Sequence, residues 1–223
     1  IFGIDNLNNY YDSSLKNQRI KKLKNVNKKF KFSKIDIQNE KRIDKLFKEE
    51  KFDCVINLAA QAGVRYSIKH PEEYFNSNIK GFFNILCASK KFKVKHMIFA
   101  STSSVYGNQK KFPIKEDANT DKPLSFYAAS KKSNEVMAYS FSNIYKIPVT
   151  CLRFFTVYGP LGRPDMALYK FVEKINNNEP IELFNKGEHI RDFTYIDDVV
   201  NYIISVINKP SKNIIPYQVI NIG

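Results

Sequence analysis

Apolar, β-branched runs that alternate with helical periodicity constrain this chain more than any other feature. Ile1–Ile4, Phe30–Ile37, Phe52–Ala60, His96–Ser101, Val149–Val157 and Tyr217–Ile222 read as strands. Residues 39–50, 71–92, 126–145 and 165–178 carry helical patterning between them. Strands apolar on both faces and separated by helices predict an α/β fold with a doubly wound parallel sheet and right-handed βαβ connections. No internal repeat or low-complexity linker interrupts the alternation. The Pro- and Gly-bearing segment Tyr158–Pro164 marks the expected switch from a sheet domain, residues 1–158, to part of a smaller one, residues 159–223.

With 223 residues, 43% hydrophobic and 14% aromatic, the chain can bury a substantial core, and global disorder is excluded. No apolar run reaches the roughly 18 residues of a membrane-spanning helix. The three cysteines, Cys54, Cys87 and Cys151, form no disulfide framework and no metal-ligand spacing, which predicts a reducing, cytoplasmic setting and no metal site. His70, His96 and His189 likewise lack metal spacing and read as solvated or packed. The net charge of +14 comes from lysines dispersed along the chain, with no nucleic-acid-binding motif beside them. Dispersal points to solvated faces and no nucleic-acid partner, although a basic surface still attracts an anionic small molecule.

In a parallel sheet, ligands bind beyond the carboxyl ends of the strands, so the residues just after each run carry the information. Asp5 is placed either to accept hydrogen bonds from both hydroxyls of an adenosine ribose or to form an ordinary turn. Asp36 and Ile37 either flank an adenine or close a turn. Ala59, Ala60, Gln61, Ala62 and Gly63 either admit a ligand close to backbone or pack a helix on the sheet. Ser101, Thr102, Ser103 and Ser104 end the fourth run, where their hydroxyls serve either a substrate oxygen or a turn.

Tyr127 and Lys131, at i and i+4, share one helix face, and a neighbouring cation lowers a phenol's pKa. The spacing is weak evidence alone, since Tyr106 and Lys110 repeat it. Gly107 and Asn108 make a helix improbable there, whereas Tyr127 and Lys131 open a strong helical segment. A hydroxyl cluster, then Tyr-x-x-x-Lys, then a strand is the more specific pattern.

These residues resemble the extended short-chain dehydrogenase/reductases, and more narrowly the NAD-dependent nucleotide-sugar epimerase/dehydratase family, over essentially the whole chain. Asp5-Asn6-Leu7, Asp36-Ile37, Leu58-Ala59-Ala60, Ser101–Gly107, Tyr127-x-x-x-Lys131, Leu152–Phe155 and Arg191–Asp198 fall in family order. The resemblance implies a Rossmann-like fold and a catalytic trio of Thr102, Tyr127 and Lys131. It implies an NAD site formed by Asp5, Asn6, Asp36, Ile37, Leu58, Ala59, Ala60, Gln61, Ser77, Tyr127, Lys131 and Phe155. A homodimer through the helices at 71–92 and from Phe126 follows from the same resemblance.

Three features narrow the substrate. The family's dehydratases carry Asp-Glu after the Thr, and its decarboxylases keep the Glu. Here the positions are Ser103 and Ser104, neither of them an acid for elimination. Asn8–Asp12 with the Leu/Lys-rich helix after it, and Gly159–Ala167, resemble segments of UDP-glucuronate epimerases. In a chain that prefers Lys, the retained Arg153, Arg163 and Arg191 suggest positions needing a planar fork. Arg163, with Thr156, is placed by resemblance at a uronate carboxylate, and Arg191 at a UDP diphosphate. Thr102, Ser103 and Ser104 complete the substrate contacts.

The expected activity is epimerisation at C4 of a UDP-sugar through a 4-keto intermediate, with UDP-glucuronate as substrate. The alternatives are an epimerase of the UDP-glucose type and a non-catalytic nucleotide- or polyanion-binding fragment. The second draws on the eight glycines, which form no phosphate-cradling loop between a strand and a helix. The expected explanation is that the first βα unit lies upstream of Ile1 and the last pocket residues beyond Gly223.

Overall fold

The computed structural model describes residues 1–188 and 190–223, with backbone alone at Phe184 and Asn185; His189 lies outside the described residues. The order of elements is β1 (Phe2–Asp5), α1 (Ser13–Val26), β2 (Lys31–Lys34), α2 (Glu40–Glu50), β3 (Cys54–Asn57), α3 (Tyr66–Lys69) and α4 (Pro71–Tyr74). A π-helical turn, Phe75–Gly81, joins α4 to α5 (Phe82–Lys91), followed by β4 (His96–Thr102), a 3-10 turn at Ser103–Tyr106 and α6 (Phe126–Tyr145). Then come β5 (Val149–Phe154), β6 (Thr156–Tyr158), α7 (Ala167–Asn176), β7 (Phe193–Tyr195), α8 (Ile196–Ile207) and β8 (Tyr217–Ile222).

Among the described residues every strand pairing is parallel, in keeping with the apolar runs. The main sheet has the order β3-β4-β5-β8, with Met97 opposite Val149 and Cys151 opposite Val219. β1 pairs with β2 apart from it, and β6 with β7. The β1–β2 pair is tied to the rest by side chains: Phe2 meets Phe52 edge-on at 6.1 Å, and Ile35 and Ile37 share a core with Phe82 and Phe99.

β4 shows why its sequence is apolar throughout. Met97 and Phe99 face a core with α2 and α5, while Ile98 faces the opposite core with Leu152, Val199, Val206 and Ile222. Helices cover both faces, so alternation is lost. Polar caps start the helices: Asp12 accepts from the Ser14 amide at 2.8 Å, Asn39 from Arg42 at 3.1 Å and Ser125 from Ala128 at 3.1 Å.

Three readings are corrected. The run Val149–Val157 is two strands: the Phe155 amide bonds the Ile222 carbonyl at 2.9 Å, the end of β8, and Thr156 then takes the Asp192 carbonyl at 3.1 Å. The ladder ends because its partner ends. Phe52–Ala60 pairs only over Cys54–Asn57, which frees Leu58, Ala59 and Ala60 to line a cavity. Phe83, which an apolar run of this kind would place in the core with Phe82 and Phe99, is 45% exposed, because Phe82 beside it takes the inward face. The helix at Ile196–Ile207 was not anticipated. No described helix is long and apolar enough to cross a membrane.

Candidate active site

The carboxyl ends of β1, β2, β3 and β4 open onto one groove made of two adjoining cavities. The first is lined by Asp5 and Asn6 after β1, by Asp36 and Ile37 after β2, and by Leu58, Ala59, Ala60 and Gln61 after β3. Ser77 completes that wall from the π-turn. The second holds Thr102, Tyr127, Lys131 and Phe155. Leu58, Ala60, Ala62 and Arg163 line both. Every residue expected at the cofactor therefore lies on this groove.

Both acidic strand ends also organise backbone. Asp5 accepts from the Leu7 amide at 2.6 Å. Asp36 accepts from the Asn6 side chain at 2.9 Å and the Gln38 amide at 2.8 Å. The turn and ligand readings of these residues are thus compatible. Lys16, from α1, was missed. Its ammonium, in the first cavity, donates to the Asn8 carbonyl at 3.0 Å and to Asn8 Oδ1 at 2.6 Å. Burial lowers its pKa, and the charge of Asp5 partly restores it. In a chain with so many lysines, no sequence signal singles it out.

Tyr127 stands in the first turn of α6, beside the helix N-terminus, where partial positive charge favours an anion. Burial raises its pKa; a hydrogen bond with the Thr102 side chain and the charge of Arg163 act in the opposite direction. Lys131 is the cation expected beside it; its ammonium donates to the Ala100 carbonyl at 2.9 Å, and burial lowers its own pKa to about 8. The shared helix face brings both residues to the cavity, where the lysine ammonium rests on a backbone acceptor and the charge of Arg163 also acts on the phenol.

Around this core, hydrogen bonds tie several buried side chains together. Asn78, buried in the π-turn, accepts from the Gln61 amide at 2.7 Å and donates to the Gln61 carbonyl at 3.0 Å and to Ser130 Oγ at 2.9 Å. It joins the wall of the first cavity to the helix that carries Tyr127 and Lys131. Glu135, one turn beyond Lys131, forms a buried ion pair with Arg153 at 2.8 Å and accepts from Ser101. Tyr106, the second Tyr-x-x-x-Lys tyrosine, is outside the groove: its hydroxyl accepts from Arg153 at 2.8 Å and donates to Asn221 at 2.6 Å. Neither Asn78 nor Glu135 belongs to a pattern a sequence reader would select.

Ser103, Ser104, Thr156 and Arg191 line neither cavity. The Ser104 amide donates to Thr102 Oγ1 at 3.2 Å, Thr156 starts β6, and Arg191 is exposed with its guanidinium on the Ile190 carbonyl at 2.9 Å. Among the described residues no group of three or more His, Cys, Asp or Glu side chains is arranged to hold a metal ion.

A chain with a parallel sheet covered by helices, an acidic residue after β1, a Thr at the end of β4 and a Tyr-x-x-x-Lys pair opening α6 is matched along its whole length, residues 1–223, by the sequence model of the NAD dependent epimerase/dehydratase family, and the chain belongs to that family. Protein CapI of Staphylococcus aureus is 47% identical over 237 aligned residues, covering 100% of this chain and 70% of that protein. A UDP-glucuronate 4-epimerase of Thermodesulfobacterium geofontis is 44% identical, covering 100% of this chain and 67% of its own. The crystal structure of UDP-glucuronic acid 4-epimerase from Bacillus cereus, in complex with UDP-glucuronic acid and NAD, superposes with a TM-score of 0.90 at 38% identity, over 100% of this chain and 68% of that one.

Proposed function

We propose that this chain carries out NAD-dependent epimerisation at C4 of a UDP-sugar, converting UDP-glucuronate to UDP-galacturonate. The observation that carries the reading is the one groove in which Thr102, Tyr127 and Lys131 meet Arg163. The first cavity suits the adenosine half of a dinucleotide: Asp5 offers a carboxylate to ribose hydroxyls, Ile37 an apolar wall, and Ala59 and Ala60 close backbone approach. Bound NAD supplies a reversible hydride acceptor, so the sugar passes through a 4-keto form.

Tyr127 takes the proton of the C4 hydroxyl and later returns it, while Thr102 holds that oxygen. Lys131 steadies the nicotinamide side of the groove from the Ala100 carbonyl. The keto sugar turns over between the two half-reactions, exposing its other face. It is then a β-keto acid, and Arg163 on its carboxylate keeps that group in an orientation that resists loss of carbon dioxide. Ser103 and Ser104 bring no acid to the site, which separates this chemistry from water elimination. In this reading the cofactor is bound by residues before Tyr158 and the substrate by Thr102 and Tyr127 together with the segment after Tyr158, with Thr156 and Arg191 assigned to the sugar and diphosphate; the expected boundary at 158/159 is not a clean one, because α8 and β8 return to the main sheet and its core. The protein acts in the cytoplasm, in keeping with its three free thiols, and pairs with a second copy through α5 and α6.

Replacing Tyr127 by Phe removes the proton acceptor and keeps the ring. Turnover of UDP-glucuronate by Tyr127→Phe is expected to fall at least about a thousandfold, with UDP binding nearly intact. Product assay by chromatography checks it, and near-normal turnover in the variant rejects the assignment.

A further inference from the structure

Arg163 is held within its own loop, by Asp165 and by Met166, whose Sδ accepts from Nη2 at 3.2 Å, and that loop is held in turn from a part of the chain remote in sequence. Asp165 Oδ1 lies 3.4 Å from Arg163 Nε and is buried without a hydrogen-bond partner among the described residues. Its other oxygen accepts from the Tyr10 hydroxyl at 3.2 Å. Tyr10 stacks edge-on against Tyr66 at 4.9 Å, and burial together with Asp165 raises its pKa to about 12, so it remains a hydrogen-bond donor. Nearby, Arg19 bonds the Tyr11 hydroxyl at 2.8 Å and the Leu161 and Gly162 carbonyls. Residues 10–19 therefore clasp the loop that presents Arg163.

A guanidinium has donors on two edges, so one carboxylate can hold it while another is bound. A long, partly exposed arginine without such an anchor would lose rotamer freedom on binding its ligand. We propose that Asp165, steadied by Tyr10, is a positioning residue that aims the Arg163 guanidinium at a sugar carboxylate, so that residues 10–19 set the preference for an acidic over a neutral sugar. This rests on the function proposed above.

Tyr10→Phe keeps the ring and every charge but loses the hydroxyl; Asp165→Asn keeps the shape but loses the charge. Both are made in the full-length protein, and binding of UDP-glucuronate and UDP-glucose is measured by calorimetry. Both variants are expected to weaken UDP-glucuronate about tenfold and UDP-glucose less than about twofold. For Asp165→Asn the direction is decisive, because removing a negative charge would by itself tighten an anionic ligand. Unchanged or tighter UDP-glucuronate binding in both variants overturns the proposal, and unchanged UDP-glucose binding guards against misfolding.

A second readout separates this idea from the choice of substrate. The titratable groups around Tyr127 are Tyr74, whose ring lies 6.1 Å away, Lys131 on its own helix, and Arg163. In Asp165→Asn the charge of Arg163 acts on Tyr127 uncompensated, so the acid limb of kcat moves to lower pH. If the unmodified protein binds both sugars alike, the uronate reading fails. The acid limb with UDP-glucose then decides the role of Asp165: a move to lower pH supports it and an unmoved limb overturns it.

Discussion

Lys131 is 3% exposed, its ammonium sits on the Ala100 carbonyl, and burial holds its pKa near 8 against an ordinary 10.5. Between those values the unfolded chain binds a proton that the folded chain does not, so the contribution of this group to stability rises with pH across that window. Lys131→Met should abolish the rise. Urea midpoints of the two proteins at about pH 7.5 and about pH 9.5 check it: the variant should gain less on going to the higher pH. An equal gain in both would place the ammonium in water. The pair Tyr127 and Lys131 was legible because its helical context distinguished it from Tyr106 and Lys110. The electrostatics were not legible, since spacing says nothing about whether a lysine meets a phenol or a carbonyl. Lys16 and Asn78 stayed hidden for a related reason: their roles come from burial, which one more Lys or Asn does not announce.

Tyr74, Asn78, Phe82 and Leu86 lie four residues apart and are all buried, along the helical run from Pro71 to Lys91. In a straight α-helix each step of four advances about 40°, so such a stripe would wander off its face. The wider π-turn at Phe75–Gly81 takes up that advance and keeps Asn78 inward, toward Gln61 and Ser130. Asn78→Ala would strand the Gln61 backbone groups. The expected cost is about 1–3 kcal/mol in unfolding free energy, together with weaker NAD binding, read by denaturant titration and by fluorescence. Stability loss with undiminished NAD affinity would show that Asn78 serves the fold alone. The element types were largely readable, because burial on both faces leaves long apolar runs. The ends were less so: Phe155 leaves the sheet where β8 stops, which depends on a partner strand more than sixty residues away.

At the scale of the whole molecule, parallel strands bring residues from Asp5 to Arg163 to one rim, while the opposite flank presents α5 and α6. There Phe83, Val136, Tyr139 and Ile144 are exposed, and Phe141 contacts both Phe83 and Tyr145. An apolar face of this kind supports the proposed pairing with a second copy. Val136→Lys should shift the protein from dimer to monomer in sedimentation, with the melting temperature lowered; a monomeric parent protein would remove the idea. The groove has a different dependence on the chain. Tyr10 and Arg19 grip partners 155 and 142 residues further along. At about 5–20 residues per second, ribosomal synthesis leaves these side chains waiting roughly 7 to 30 s for the segment they hold. β1, β2 and α1 between them can be assembled by then, but the loop proposed to present an arginine to the sugar is braced only when these distant segments close on each other. The groove is therefore completed by a closure between segments made far apart in time, not by either segment alone.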